Sequence, residues 1–235
     1  MAIVPFLAMT AAEMENLSHL PQRLAWMACH FSPYGLGLSN LPRELPADSL
    51  LIVDDITPPR GHDPLLIEHQ LIQCVEMLPC SGILLDFQRA DCEETAALAA
   101  HLIKALPCPT AVSKNYAGDF SCGVILPPPP LSVRLSDYLK PWTGREIWLE
   151  LGLDGECLRL TENGCEAFLL PYPAADTTGF YDETLRCHYT LQTNQKSASF
   201  TLWRTKEDML EFLQDAETLG ISGAVGLYQE LSKLS

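Results

Sequence analysis

Residues 82 to 106, GILLDFQRADCEETAALAAHLIKAL, join a short aliphatic run to a segment of helical period, and this pairing decides the fold class. The run over 82–87 is bounded by glycine and too short for a buried helix, so it reads as a strand. The segment over 91–106 repeats its apolar residues every three to four positions and reads as a helix. A strand followed by a helix, repeated, is the pattern of a parallel sheet with helices outside.

Working outward, seven further runs fit the same role: residues 3–9, 24–30, 50–54, 109–113, 122–126, 146–151 and 223–228. Eight strands in βα alternation predict an α/β fold of one (β/α)8 barrel spanning residues 1–235. Two more helices are well marked, over 64–78 and 205–219. Asp63 precedes Pro64 as an N-cap before proline, and Thr205 precedes acidic residues at the positive end of its helix. Two stretches break the rhythm. Asn163-Gly164 predicts a type I′ turn in a hairpin over 156–170, and TNQKS predicts a second turn within 186–203. These make a β-rich insertion at about 152–203, between the seventh and eighth strands. The run Pro127 to Pro130 forbids helix or central strand, so it reads as a rigid extended exit from the sixth strand, with a peptide-module ligand as the alternative.

Composition sets the outer bounds. Of the 235 residues, 47% are apolar and 19% charged, which supplies a large core. Fifteen Lys and Arg against 30 Asp and Glu give a net charge of −15, with no basic patch. Nucleic acid and anionic membrane are therefore not expected as partners. The apolar run at the N-terminus lacks a preceding basic residue and is too short to span a bilayer, so it reads as a strand and not a signal. Nine cysteines, an odd number without a CxxC pair, fit reduced thiols in a cytoplasmic protein. No metal or cofactor is expected from their spacing.

In such a barrel the working face lies at the C-terminal ends of the strands. There the sequence places His30, Tyr34, Asp54, Asp55, Asp86, Gln88, Ser113, Tyr116, Glu150 and Tyr228. Acids, amides and aromatic rings together suit a neutral polar ligand such as a sugar. No glycine-rich phosphate loop accompanies them, and Ser113 lacks a nucleophile elbow. Trp203 is a further candidate platform, and His30, a candidate contact, reads more readily as a satisfied structural histidine.

Residues 81–88, SGILLDFQ, resemble the signature strand DGxDxDxE of family 18 glycoside hydrolases, of the chitinase and spore cortex hydrolase type. Gly82 and Asp86 match, and Phe87 holds the aromatic position. Ser81 and Leu84 replace two acids, and Gln88 stands where the catalytic glutamate belongs. Residues 145–154, REIWLELGLD, and the ending from Phe200 to Glu230 resemble the last strands of that family, with Tyr228 where tryptophan is usual. The resemblance implies that Asp86 would orient a substrate N-acetyl group and that residue 88 would protonate the leaving oxygen. Glutamine has no such proton to give, and general acid catalysis typically supplies about 10²–10⁴ in rate.

The expectation is therefore an inactive family-18-like barrel that binds an N-acetylglucosamine-containing glycan or serves as an interaction scaffold. His30, Tyr34, Asp86, Gln88, Tyr116, Glu150, Trp203 and Tyr228 are its candidate ligand contacts. Two alternatives stay open: an active glycosidase with a displaced acid among Asp54, Asp55 and Glu150, and a structural or assembly protein without a small-molecule site. Oligomeric state is not legible in the sequence.

Overall fold

A computed structural model describes residues 3–89, 92–171 and 179–232. In chain order the elements begin with β1 (Phe6–Met9), α1 (Ala11–Glu15), β2 (Leu24–Phe31), β3 (Leu38–Ser39), β4 (Ser49–Asp54), α2 (Pro64–Met77), β5 (Cys80–Asp86) and α3 (Glu93–Ala105). There follow β6 (Thr110–Ser113), β7 (Gly123–Leu126), α4 (Leu135–Leu139) and β8 (Ile147–Leu151). The chain then makes β9 (Gly155–Thr161), β10 (Gly164–Leu170), β11 (Phe180–Asp182), β12 (Cys187–Thr193) and β13 (Ser197–Trp203). It ends with α5 (Lys206–Thr218), β14 (Gly223–Leu227) and α6 (Tyr228–Leu231).

Eight parallel strands close into a barrel in the order β1, β2, β4, β5, β6, β7, β8, β14, with β1 paired in parallel to both β2 and β14. Each of the eight expected runs contributes one of them, so the fold is a (β/α)8 barrel. The helical layer is thinner than the expected pattern. β2 and β4 are connected through the short antiparallel β3, and β6 and β7 through a single 3-10 turn at Lys114–Tyr116. The second connection, residues 114–122, is too short for a packed helix, and neither sequence carries the apolar period of one.

Strand alternation sorts the side chains. One set, including Phe6, Ala8, Ala25, Leu50, Ile52, Leu84, Ala111, Ile125 and Val225, fills the barrel interior together with Trp148. The intervening residues, such as Leu51, Val53, Ile83, Leu85 and Leu149, pack outward against the helices. Trp148 is accommodated by glycine: a Cβ on Gly223 would lie 2.5 Å from its ring, and one on Gly123 would lie 3.2 Å from it.

The two long helices that flank the site begin as their caps predict. Asp63 accepts from the Leu65 amide ahead of α2, and Thr205 forms a reciprocal capping box with Asp208 at the start of α5. α3 begins at Glu93; Asp91, where it was expected to start, lies outside the described residues.

Between β8 and α5 the chain forms a five-stranded antiparallel sheet in the order β10-β9-β13-β12-β11. Residues 172–178 of this stretch lie outside the description. The β9–β10 turn differs from the expectation. Gly164 pairs with Thr161, leaving Glu162-Asn163 as the two-residue loop, and the positive φ falls on Gly164 (+135°) and on neither loop residue. A type I′ turn needs positive φ at both central positions; here glycine supplies the single left-handed residue just beyond the turn.

Candidate active site at the barrel mouth

The same alternation that fills the barrel aims a ring of polar groups at its C-terminal opening. On β4 the inward series Leu50, Ile52 ends at Asp54; on β5 Leu84 is followed by Asp86; on β6 Ala111 is followed by Ser113; on β8 Trp148 is followed by Glu150. Asp54 and Asp86 are register partners on neighbouring strands, about 4.8 Å apart in backbone spacing. Phe87 turns the other way and is fully buried, with ring centroids 5.7 Å from Phe31 and 6.2 Å from Tyr116. That aromatic anchor fixes the end of β5, so that Asp86 and Gln88 on either side of it face the opening.

These residues line a cavity of about 710 Å³ together with Ile56, Pro128, Asp154, Leu227 and Glu230. A recess of about 160 Å³ continues it past Ser113, Lys114 and Asn115. At the floor, the Gln88 side-chain amide donates to both oxygens of Asp86, at 3.1 and 3.2 Å, and the Ser113 hydroxyl donates to Asp86 at 3.2 Å. Burial raises the Asp86 pKa against those bonds. Glu150 lies close enough to hydrogen-bond Asp86. Burial first, and then the Asp86 charge, push the Glu150 carboxyl up to about 7, with Lys114 opposing. The two carboxyls thus oppose each other's ionisation. Burial also raises the Asp54 carboxyl, while its bond from the Ile56 amide and the nearby His30 lower it.

Asp55 borders the cavity, whereas several other expected site residues stand elsewhere. Asp55 is 3% exposed and accepts from the amides of Gln88 (2.8 Å) and Arg89 (3.1 Å), which staples the end of β4 to the loop after β5. Both of its oxygens accept from backbone amides, which holds the carboxylate in place at the cavity wall. Tyr116 is buried under the loop, donating to the Arg89 carbonyl, because its ring is needed against Phe87. Tyr34 is 98% exposed on the loop between β2 and β3, with no wall to hold it over the mouth. Trp203 is 5% exposed and stacked on His188 at 5.8 Å, on the antiparallel sheet. Tyr228 opens α6 and packs against the outer core. His30 is the register partner of Asp54, but its Nδ1 is bonded to the Ala28 carbonyl and it does not line the cavity.

Three wall residues have weak sequence signals. Arg89 lies beyond the strand and is held by its Nε on the Asp55 carbonyl at 2.7 Å. Asp154 is on the loop that enters the antiparallel sheet, and Glu230, past the last strand, accepts from the Leu153 amide at 3.1 Å. Among the described residues, no group of three or more metal-ligating side chains comes together.

The architecture is thus a closed parallel barrel whose C-terminal mouth gathers the carboxyls of Asp54, Asp86 and Glu150 around Gln88. No family model and no curated protein matches the sequence. Solved structures do match in fold. The chitinase-like agglutinin RobpsCRA from Robinia pseudoacacia aligns with TM-score 0.63 and 12% identity, over 97% of each chain. A mutant of the glycoside hydrolase family 18 chitinase from Cycas revoluta, solved in complex with (GlcNAc)4, aligns with TM-score 0.61 and 12% identity, covering 99% of this chain and 97% of that one. The spore cortex-lytic enzyme SleL from Bacillus cereus aligns with TM-score 0.54 and 14% identity over 87% of this chain, which spans only 63% of the SleL length. At such identities the likeness establishes the fold, that of the family 18 barrels, and chemistry must be argued from the site.

Proposed function

We propose that the chain binds an N-acetylglucosamine-containing glycan across the mouth of its barrel and does not cleave it by the family 18 route. The observation that carries this reading is Gln88. It occupies the cavity beside Asp86, where that route needs a proton donor, and its amide instead hydrogen-bonds both Asp86 oxygens. An amide cannot protonate a leaving oxygen, yet with Asp86 and Asp54 it offers the donors and acceptors that sugar hydroxyls need. The size of the cavity favours a ligand over a purely structural role. The complex of the Cycas chitinase with (GlcNAc)4 supports the ligand class. All nine cysteines are free thiols, which favours a reducing, cytoplasmic setting.

The test is calorimetric titration with (GlcNAc)4 alongside a turnover assay. Saturable binding without turnover, weakened by Asp86→Asn, is expected. Robust hydrolysis lost in Asp86→Asn would overturn the inactive reading, and absence of binding to folded protein would overturn the ligand.

A second reading is favoured by one observation, the Glu150 carboxyl held near neutrality beside Asp86. A group titrating at about 7 is poised for general acid catalysis. Under this reading the protein is a glycosidase with a displaced donor. Its rate would fall as pH rises through about 7 and would drop by at least about 10²-fold in Glu150→Gln.

A further inference from the structure

A second cavity, of about 400 Å³, opens between the barrel and the antiparallel sheet. Most of its wall is apolar: the Pro127–Pro130 run, Phe168 and Leu169 from the edge strand β10, and Met209 and Phe212 from α5, with the carboxylates of Glu150, Asp154 and Glu156 also on its border. One wall residue is a cation. Arg204, between β13 and the N-cap of α5, is 7% exposed, and burial pulls its pKa down to about 10.

The bonds of this guanidinium go to neutral groups. Nε donates to the Arg186 carbonyl at 3.0 Å and Nη2 to the Leu185 carbonyl at 3.1 Å, and the group lies 4.1 Å over the Phe212 ring. Among the described residues no carboxylate is ion-paired with it. The two acids whose charge it feels are engaged elsewhere. Asp208 accepts from His188 and the Thr205 amide, and Glu156 accepts from the amide and hydroxyl of Ser132. Among the described residues Nη1 makes no hydrogen bond. Arg204 is among the residues that line the cavity. The positive end of α5 begins two residues on, which adds to the local demand for an anion.

A buried guanidinium without a carboxylate is costly, and a charge-assisted bond from a ligand anion removes that cost. The walls beyond it suit hydrocarbon, and the volume falls within the roughly 300–1,000 Å³ of ligand pockets. We propose that this cavity binds an amphipathic monocarboxylate, with its head on Arg204 and its tail between the proline run and Phe168 and Leu169. The orientation follows from charge. Asp154 and Glu150 border the part of the cavity shared with the barrel mouth and disfavour an anion there. The site is separate in chemistry from the glycan mouth, and its test does not depend on that reading.

The probe is decanoate, titrated calorimetrically into the full chain, with 1-decanol as its uncharged match. Saturable decanoate binding is expected, with 1-decanol at least tenfold weaker. Leu169→Asp, at a position 78% exposed and so tolerant of charge, should weaken decanoate at least tenfold while leaving circular dichroism unchanged. Arg204→Met should abolish the preference for the acid over the alcohol; if that variant does not fold, the other two comparisons decide. Folded wild type that ignores decanoate, equal affinity for acid and alcohol, or undiminished binding by Leu169→Asp would overturn the proposal.

Discussion

At the scale of single residues, the barrel mouth depends on one carboxyl pair. Glu150 moves from 4.5 to about 7 in the folded chain, so between those values the folded state holds a proton that the unfolded state has released. Stability therefore falls as pH rises through that window, by at most about 3 kcal/mol at about 1.4 kcal/mol per unit, and by less where cavity water screens the pair. Thermal denaturation between pH 5 and 8 should show this decline in the wild type and a flatter profile in Glu150→Gln. Gln88→Glu probes the other side of the pair. It supplies a proton donor next to Asp86, and turnover of (GlcNAc)4 should rise by about 10²-fold or more over the wild type. Unchanged turnover with retained binding would mean that the amide is not what silences the site. Asp54, Asp86, Gln88 and Glu150 were all legible as strand-end polar residues. Asp55, one residue past β4, also borders the cavity, but its contacts with the Gln88 and Arg89 amides come from a distant loop and have no local signal.

At the scale of elements, the barrel strands are held by what lies on either side of their sheet. Gly223 on β14 gives space to Trp148 on β8, and an added methyl would meet the ring at 2.5 Å. Gly223→Ala should cost about 1–3 kcal/mol as overpacking, read as a lowered midpoint in urea, with partial recovery when Trp148→Phe is combined with it. Phe87→Ala should cost about 3–5 kcal/mol, because it empties a fully buried site between Phe31 and Tyr116. Its effect should extend to glycan binding, since the ring sets the end of β5. Helix caps were readable locally because Asp63 and Thr205 satisfy amides within three residues of themselves. Trp203, by contrast, sits on β13, and its platform on His188 and Gly179 comes from across the antiparallel sheet. Its distance from the mouth follows from that pairing and from nothing adjacent in the chain.

At the scale of the whole molecule, the charge of −15 governs behaviour in solution. Self-repulsion of the compact state is screened by salt. Raising ionic strength from roughly 0.01 to 0.15 M shortens the screening length from about 30 to about 8 Å, and the melting temperature should rise over that range. A fall would show that attractive pairs, such as Arg186 with Glu211 and Asp215, outweigh the repulsion. A cluster of acids is gathered at the mouth, where Asp54, Asp86, Asp154, Glu150 and Glu230 come from widely separated stretches of sequence.

The sequence by itself determined the eight parallel strands, the long helices and the polar strand ends. Each of these follows from hydrophobic period and capping chemistry within about a dozen neighbouring residues. Tertiary structure alone decided which of those polar groups share a cavity. Barrel closure through β1 and the register between strands bring Asp86 within reach of Glu150, bury Asp55 and Tyr116, and carry Trp203 away. Closure also joins the proline run to β10 and α5 around Arg204. These juxtapositions arise from contacts between residues tens of positions apart, where local pattern exerts no constraint.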